Sequence, residues 1–228
     1  NDRSFSTKER NRLKAIQAGV NTPADGYFGE HTLTLMYLNY KPEDTPIDFS
    51  SYNASIIIGK EIKLIHSLNK ANTSYYTNSI SGTFQWQNTT SSMLCIDGNW
   101  KRKWSTHYFV QRPETVLYIT KDGEVKSQRA IYNTEIKDEV VTAIGGMGLH
   151  NYNPDAEGFC KIKDLNGKEY NFSDVLRTTY HTCLGWNGEY FYATYIYGNA
   201  EKCREVMIDM LECKYAILLD GGHIASIN

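Results

Sequence analysis

No apolar run in this chain approaches the ~18 consecutive residues that a membrane-spanning helix needs, so a membrane span is not expected. There is no excess of positive charge either: 24 Lys and Arg against 26 Asp and Glu leave a formal net charge of −2. Without a basic field, binding to DNA or RNA is not expected. The five cysteines, Cys95, Cys160, Cys183, Cys203 and Cys213, are odd in number and show no C-x-x-C spacing. That argues against a zinc site or a disulfide framework and for free thiols made in a reducing compartment. Neither G-x-G-x-x-G nor GK[ST] occurs, which removes the usual grounds for a nucleotide site. The start, Asn1-Asp2-Arg3-Ser4, lacks the charged segment and apolar core of a signal peptide, so none is expected in this chain. No cofactor is expected, and a divalent cation is left open because Asp220 and His223 could join distant ligands.

What the chain does have is aromatic rings, 17 Tyr and 4 Trp. Rings with a polar handle suit β-surfaces and also stack on sugar faces. The strand and turn signals are frequent. Thr115 to Thr120 followed by Lys121-Asp122-Gly123 reads as a hairpin, and Met93 to Ile96 followed by Asp97-Gly98 as a strand and turn. Arg177 to Leu184 and Tyr190 to Tyr197, around Asn187-Gly188, read as a second hairpin with a type I′ turn. Val140 to Ile144 runs into Gly145-Gly146-Met147-Gly148, expected to be a loop whose backbone contacts a ligand. Residues 151–171 are polar and turn-rich, an excursion from the main fold.

Near the end, Cys203, Val206, Met207, Met210 and Leu211 fall on one helical stripe, with Asn199 as N-cap. The run Ala216 to Leu219 then reads as a buried strand that stops on Asp220-Gly221-Gly222. A carboxylate is presented there beside glycines that permit close approach of the main chain.

The N-terminal part looks different. A helical stretch from Thr7 to Ala18 is broken at Gly19 to Pro23, followed by Asp25-Gly26-Tyr27-Phe28-Gly29-Glu30-His31-Thr32 and a second helical stretch, Leu33 to Tyr40. Residues 4–41 resemble the peptidoglycan-binding module and its "DGxFGxxT" signature, which implies a wall contact through Asp25, Tyr27 and Phe28. The segment 42–55, with Pro42 and Pro46, reads as a linker. The expected organisation is a helical module over 1–41, a linker over 42–55 and a main domain over 56–228. The fold class is α+β: a β-rich mixed sheet with few helices, preceded by the small helical module.

Four short motifs in order, Ile80-Ser81-Gly82-Thr83-Phe84, Ala143-Ile144-Gly145-Gly146, His181-Thr182-Cys183-Leu184-Gly185 and Leu219-Asp220-Gly221-Gly222, are similar to those of the phosphodiester glycosidases, the family of the uncovering enzyme. The resemblance covers roughly residues 55–228. It departs from the family at Ser81 (for Asn), Thr83 (for Gly), His181 (for the Arg of RTxxG), and His223 and Ile224 (for the Gly and Ser that end LDGGGS).

This resemblance implies a hydrolase that releases a sugar from a phosphodiester-linked glycan. The leaving group of such a substrate is already acidic, so the site needs a carboxylate and phosphate-holding groups more than a general acid. Asp220 is the expected base or nucleophile, with His181 and His223 as further catalytic candidates. Arg177 would hold the phosphate with main chain or side chains of Ser81, Gly82, Thr83, Gly145, Gly146, Gly221 and Gly222. The expected partner is a cell-wall glycopolymer or sugar phosphodiester, and the expected place a bacterial envelope, the extracellular space or a virion. The departures from the family motif also fit a non-catalytic wall-binding module or a sensor for a phosphorylated ligand. A charged His181 would favour mildly acidic pH.

Overall fold

The structure, a computed structural model, describes residues 10–11, 13–15, 48–49, 54–66, 78–86, 89–107, 110–164, 166–171, 173–222 and 225–228. Ten strands form one sheet: β1 (Asp48–Phe49), β2 (Ala54–Gly59), β3 (Leu94–Ile96), β4 (Asn99–Arg102), β5 (Glu114–Thr120), β6 (Val125–Ala130), β7 (Val140–Gly148), β8 (Thr179–Trp186), β9 (Phe191–Gly198) and β10 (Tyr215–Gly221). Its path runs β1-β2-β9-β8-β10-β7-β3-β4, with β5 and β6 joined to β7 as a branch. Every pairing is antiparallel.

The local chemistry explains the hairpins. Asp97 and Gly98 both take positive φ, 51° and 73°, as the two-residue turn between β3 and β4 requires. Gly123, at φ 83°, closes β5 onto β6. Between β8 and β9 only Gly188 is in the positive region, so the expected I′ turn, which needs two such residues, does not form. The Asn187 carboxamide oxygen instead accepts from the N–H groups of Glu189 and Tyr190, at 2.9 and 2.8 Å, and holds that reversal.

Strand β7 joins the halves of the sheet. One edge pairs with β5 from Val140 to Gly146; the other pairs first with β3, at Ala143 and Ile144, and then with β10, at Met147 and Gly148. The expected loop at Gly145 to Gly148 is therefore strand, buried throughout. Its glycines serve close packing: a Cβ on Gly145 would overlap the Glu114 carboxylate, and one on Gly146 would lie 2.5 Å from the Leu218 carbonyl oxygen.

A helix packs against the sheet. α1 (Ala200–Arg204) starts where the Asn199 side chain accepts from Lys202 N, and it widens into a π-helical stretch over Glu205–Met210. Leu211 N reaches back five residues to the Val206 carbonyl. Its buried stripe of Cys203, Val206, Met207 and Met210 packs with Ile56, Met147, Cys183, Ile196, Ala216 and Leu218 in the largest core cluster. The opposite face of β8 and β10 buries Leu184, Ile217 and Leu219 with Leu117, Ile144 and Phe191. A third cluster around Met93, Cys95, Val116 and Tyr118 fills the β3–β5 side.

The α+β expectation is corrected on two points. The sheet is antiparallel rather than mixed, and strands dominate the described residues, whose longest helical segment is Ala200–Met210. No helical N-terminal module forms part of the described fold. Of residues 1–41 only 10, 11 and 13–15 are described; they are helical, with Leu13 buried and Ala15 against the main core cluster. Asp25, Tyr27 and Phe28, expected to contact a wall, lie outside the described residues, as does His223. Within the segment read as a linker, Asp48 and Phe49 pair with β2. All five cysteines are free thiols.

Candidate functional site at the Asp220 end of the sheet

Strands β8 and β10 run side by side, and Gly221 pairs with His181 just before a bulge at His181–Cys183. The bulge turns the last residues of β10 toward the segment 79–82. Asp220 N donates to Gly82 O at 3.2 Å. Thr182 Oγ1 donates to both Ser81 O and Asp220 O, each at 3.1 Å. Ser81 N donates to Ser226 O, and Ser226 N donates to Ser81 Oγ, both at 3.0 Å. Three of the four motif segments, 80–82, 181–182 and 220–222, thus meet at one end of the sheet.

The half-buried Asp220 accepts from Gly221 N through Oδ1 at 2.8 Å. Gly222 takes φ 68°, and the Nη2 atom of Arg177 lies 3.4 Å from where its Cβ would be. The exposed guanidinium is therefore placed over the glycine turn that follows the carboxylate. Gly82 is open, with nothing within 4 Å of an added Cβ. Thr83 points elsewhere: it is 7% exposed, and its hydroxyl donates to Gly145 O.

His181 plays a different part from the one expected. It is 1% exposed, and burial pulls its pKa down. The hydrogen bond to the Arg177 carbonyl pushes the other way, and the Arg177 charge adds to the depression. Its Nε2 lies 3.0 Å from that carbonyl, which can only accept, so Nε2 carries a proton. Nδ1, without a partner, faces Gly221: a Cβ there would be 2.7 Å from it. The ring holds the main chain of Arg177, and its burial disfavours the charged form on which a gain at mildly acidic pH would depend.

Gly145 and Gly146 are inside the sheet rather than at its open end. Thr83 links them to the Asp220 end, and beyond Gly145 lies a group of buried charges that sequence reasoning passed over. Arg112, Glu114 and Glu157 each have 0% exposure. Glu114 Oε1 accepts from Met93 N at 2.6 Å, and Glu157 Oε1 accepts from Thr115 at 2.7 Å and from Arg129 Nη2 at 3.2 Å. A charged residue on either side of Pro113, directly before an apolar run, was the available signal.

The other missed feature is aromatic. Tyr180 and Tyr195 stack with centroids 4.7 Å apart, and Tyr197 lies 5.0 Å from Tyr180. Tyr180 is 43% and Tyr197 44% exposed. By strand alternation they share a sheet face with Thr182, whose hydroxyl reaches Asp220. A separate shallow groove of about 620 Å³, lined by Asp97, Trp100, Lys121 and Asp138 among others, contains none of the sequence-predicted residues. Among the described residues no group of three or more His, Cys, Asp or Glu is placed to hold a metal ion. None of their helices is long and apolar enough to cross a membrane.

No protein-family model matches the chain, and no curated protein matches it. Among solved structures the chain is similar to a hypothetical protein from Synechocystis, at 10% identity and a TM-score of 0.46, over 81% of this chain and 54% of that one. It is also similar to a candidate exported protein from Burkholderia pseudomallei, at 11% identity and a TM-score of 0.29, over 53% of this chain and 35% of that one. The chain thus spans about half and about a third of those two proteins.

Proposed function

We propose that the Asp220 end of the sheet takes a phosphodiester-linked sugar of a cell-envelope glycan and releases the sugar by hydrolysis. The carrying observation is that hydrogen bonds bring the main chain of Ser81 and Gly82 against that of Asp220, with Arg177 over Gly222 just after it. A phosphodiester needs a cation with several donors, and Arg177, set over Gly222, supplies that fork. A carboxylate facing the anomeric carbon would act as nucleophile or as base toward water, and a phosphate leaving group needs little proton donation. The exposed rings of Tyr180 and Tyr197 offer flat apolar faces on which a sugar could stack. The resemblance to phosphodiester glycosidases over roughly residues 55–228 supports the same reaction class, and the segment like a peptidoglycan-binding module supports a wall location.

The test is release of sugar from isolated Gram-positive cell walls and from a synthetic sugar 1-phosphodiester. Asp220→Asn should lower the rate by roughly 10² or more, as expected when a catalytic carboxylate is neutralised. Arg177→Ala should weaken substrate binding and lower the rate by removing the phosphate contact. Unchanged release by Asp220→Asn would sink the assignment.

A second reading, binding without turnover, is favoured by one observation: the His181 ring is buried and tied to the Arg177 carbonyl, a setting that disfavours a charge where the family has its arginine. Wall pull-down that survives Asp220→Asn, with no sugar released by the wild type, would select this reading.

A further inference from the structure

Arg112 is a fully buried guanidinium with one side of its fork unused. Nη1 donates to Pro113 O at 3.2 Å and to Glu157 O at 3.4 Å. Nε and Nη2 have no partner. Those two nitrogens form an edge of the guanidinium suited to paired hydrogen bonds with a carboxylate, sulfate or phosphate group. Phe159 covers the guanidinium at 4.0 Å and Phe84 lies 5.7 Å away, which strips it of water and raises the cost of leaving donors unpaired. Three more orphaned polar atoms belong to the same neighbourhood: Glu114 Oε2, Ser92 Oγ and Ser105 Oγ. The two hydroxyls are near enough to favour the charged carboxylate of Glu114, yet neither has a well-aligned partner. Five unpaired buried polar atoms around one guanidinium and one carboxyl are unusual, since buried polar groups are nearly always satisfied.

We propose that Arg112 and Glu114 form a second, buried binding site for one small oxyanion group, held by the Nε–Nη2 edge of Arg112 and by the hydroxyls of Ser92 and Ser105, with Glu114 donating its carboxyl proton. The site is distinct from the Asp220 end and joined to it through Thr83, whose hydroxyl donates to Gly145 O with the Glu114 carboxylate packed behind, and through Phe84 beside Arg112.

The charges around Glu114 set the condition for binding. Arg112 faces it, Arg102 on β4 acts on it from further off, and Glu157 acts on Arg112 while being paired to Arg129 on β6. An ionised Glu114 neutralises Arg112 and repels an incoming anion. A protonated Glu114 leaves Arg112 uncompensated and adds a donor. Burial raises the Glu114 pKa to about 7, against the opposing pull of Arg112 and its hydrogen bonds. The anion should therefore bind together with one proton, and its apparent affinity should fall as pH rises through that value.

Calorimetric titration with sulfate and with acetate, whose charges do not change between pH 6 and pH 8, tests this in an Arg177→Ala background, so that an anion held at the Asp220 end does not contribute. Sulfate or acetate should bind about tenfold more tightly at pH 6 than at pH 8, following the protonated fraction of a group titrating near 7. Sulfate alone would identify a tetrahedral, phosphate-like group, acetate alone a carboxylate, and either supports the site. Glu114→Gln should bind equally at both pH values, and Ser105→Ala should bind several-fold more weakly while keeping the pH dependence. Arg112→Lys keeps the charge, removes the fork and should abolish binding. Two results overturn the proposal: no heat of binding for either anion at pH 6, or an unchanged tenfold pH dependence in Glu114→Gln. Because Arg177 is already absent, loss of sugar release there bears on the Asp220 reading alone.

Discussion

Gly146→Ala is expected to destabilise the protein by on the order of 3 kcal/mol, the upper part of the range for an overpacked core, and to lower Tm by roughly 6–12 °C. The added Cβ would lie 2.5 Å from Leu218 O and 3.2 Å from Ile217 Cβ. The first of these is main chain and cannot rotate away as a flexible side chain can. The glycine sits where β7 leaves β3 and takes up β10, immediately before the Met147–Leu218 pair. Relief would require β7 and β10 to separate, which would open that pair and the contact of Met147 and Leu218 in the main core. Gly82→Ala is the matched control: its Cβ would meet nothing within 4 Å, and its φ is not in the positive region, so a change within about 0.5 kcal/mol is expected. Urea denaturation of the two variants beside the wild type measures both. Equal midpoints for Gly146→Ala and wild type would contradict the close approach of β7 and β10.

These glycines also show where sequence reading stopped. Gly145-Gly146-Met147-Gly148 looked like a ligand-contacting loop because glycines commonly mark turns, but here none of the three glycines has positive φ and all lie in a strand. What they supply is the missing Cβ, and a sequence does not say what will press against it. The parts that were legible carried their own local signal. The tyrosine-rich strands on either side of Asn187-Gly188, the stripe from Cys203 to Leu211 and the apolar run before Asp220 each declare their period or their end. For Ser81 and Asp220 only the motif order was readable; that their segments meet, with Arg177 over Gly222, was not. Which of their neighbours are charged was not, because the state of His181 depends on burial against elements distant in sequence. The burial of Arg112, Glu114 and Glu157 went unread for the same reason, since a charged residue reads as solvated until the fold encloses it, and the charges flanking Pro113 were the one local hint.

That enclosed carboxyl should also leave its mark on stability. In the unfolded chain Glu114 loses its proton near 4.5, whereas in the fold it keeps it to about 7. Between those values the folded state holds more protons, so its stability falls as pH rises; the contribution is fully present below about 4.5 and gone above about 7. A shift of that size corresponds to about 3 kcal/mol. The histidines oppose it: burial lowers the pKa values of His150 and His181, so each contributes stability that is gained as pH rises toward the ordinary histidine range. The two trends overlap near pH 6, and the wild-type profile alone would hide both. Glu114→Gln separates them, because its amide keeps the shape, can accept from Met93 N, and does not titrate. The difference in unfolding free energy between the wild type and Glu114→Gln, in buffers free of sulfate and carboxylate, is expected to change by about 3 kcal/mol from pH 4.5 to pH 8, in favour of the variant at the higher pH. A difference that does not vary with pH would mean that Arg112 holds Glu114 ionised despite its burial. Adding sulfate should move the wild-type fall to higher pH, because an anion that binds with the proton stabilises the protonated form.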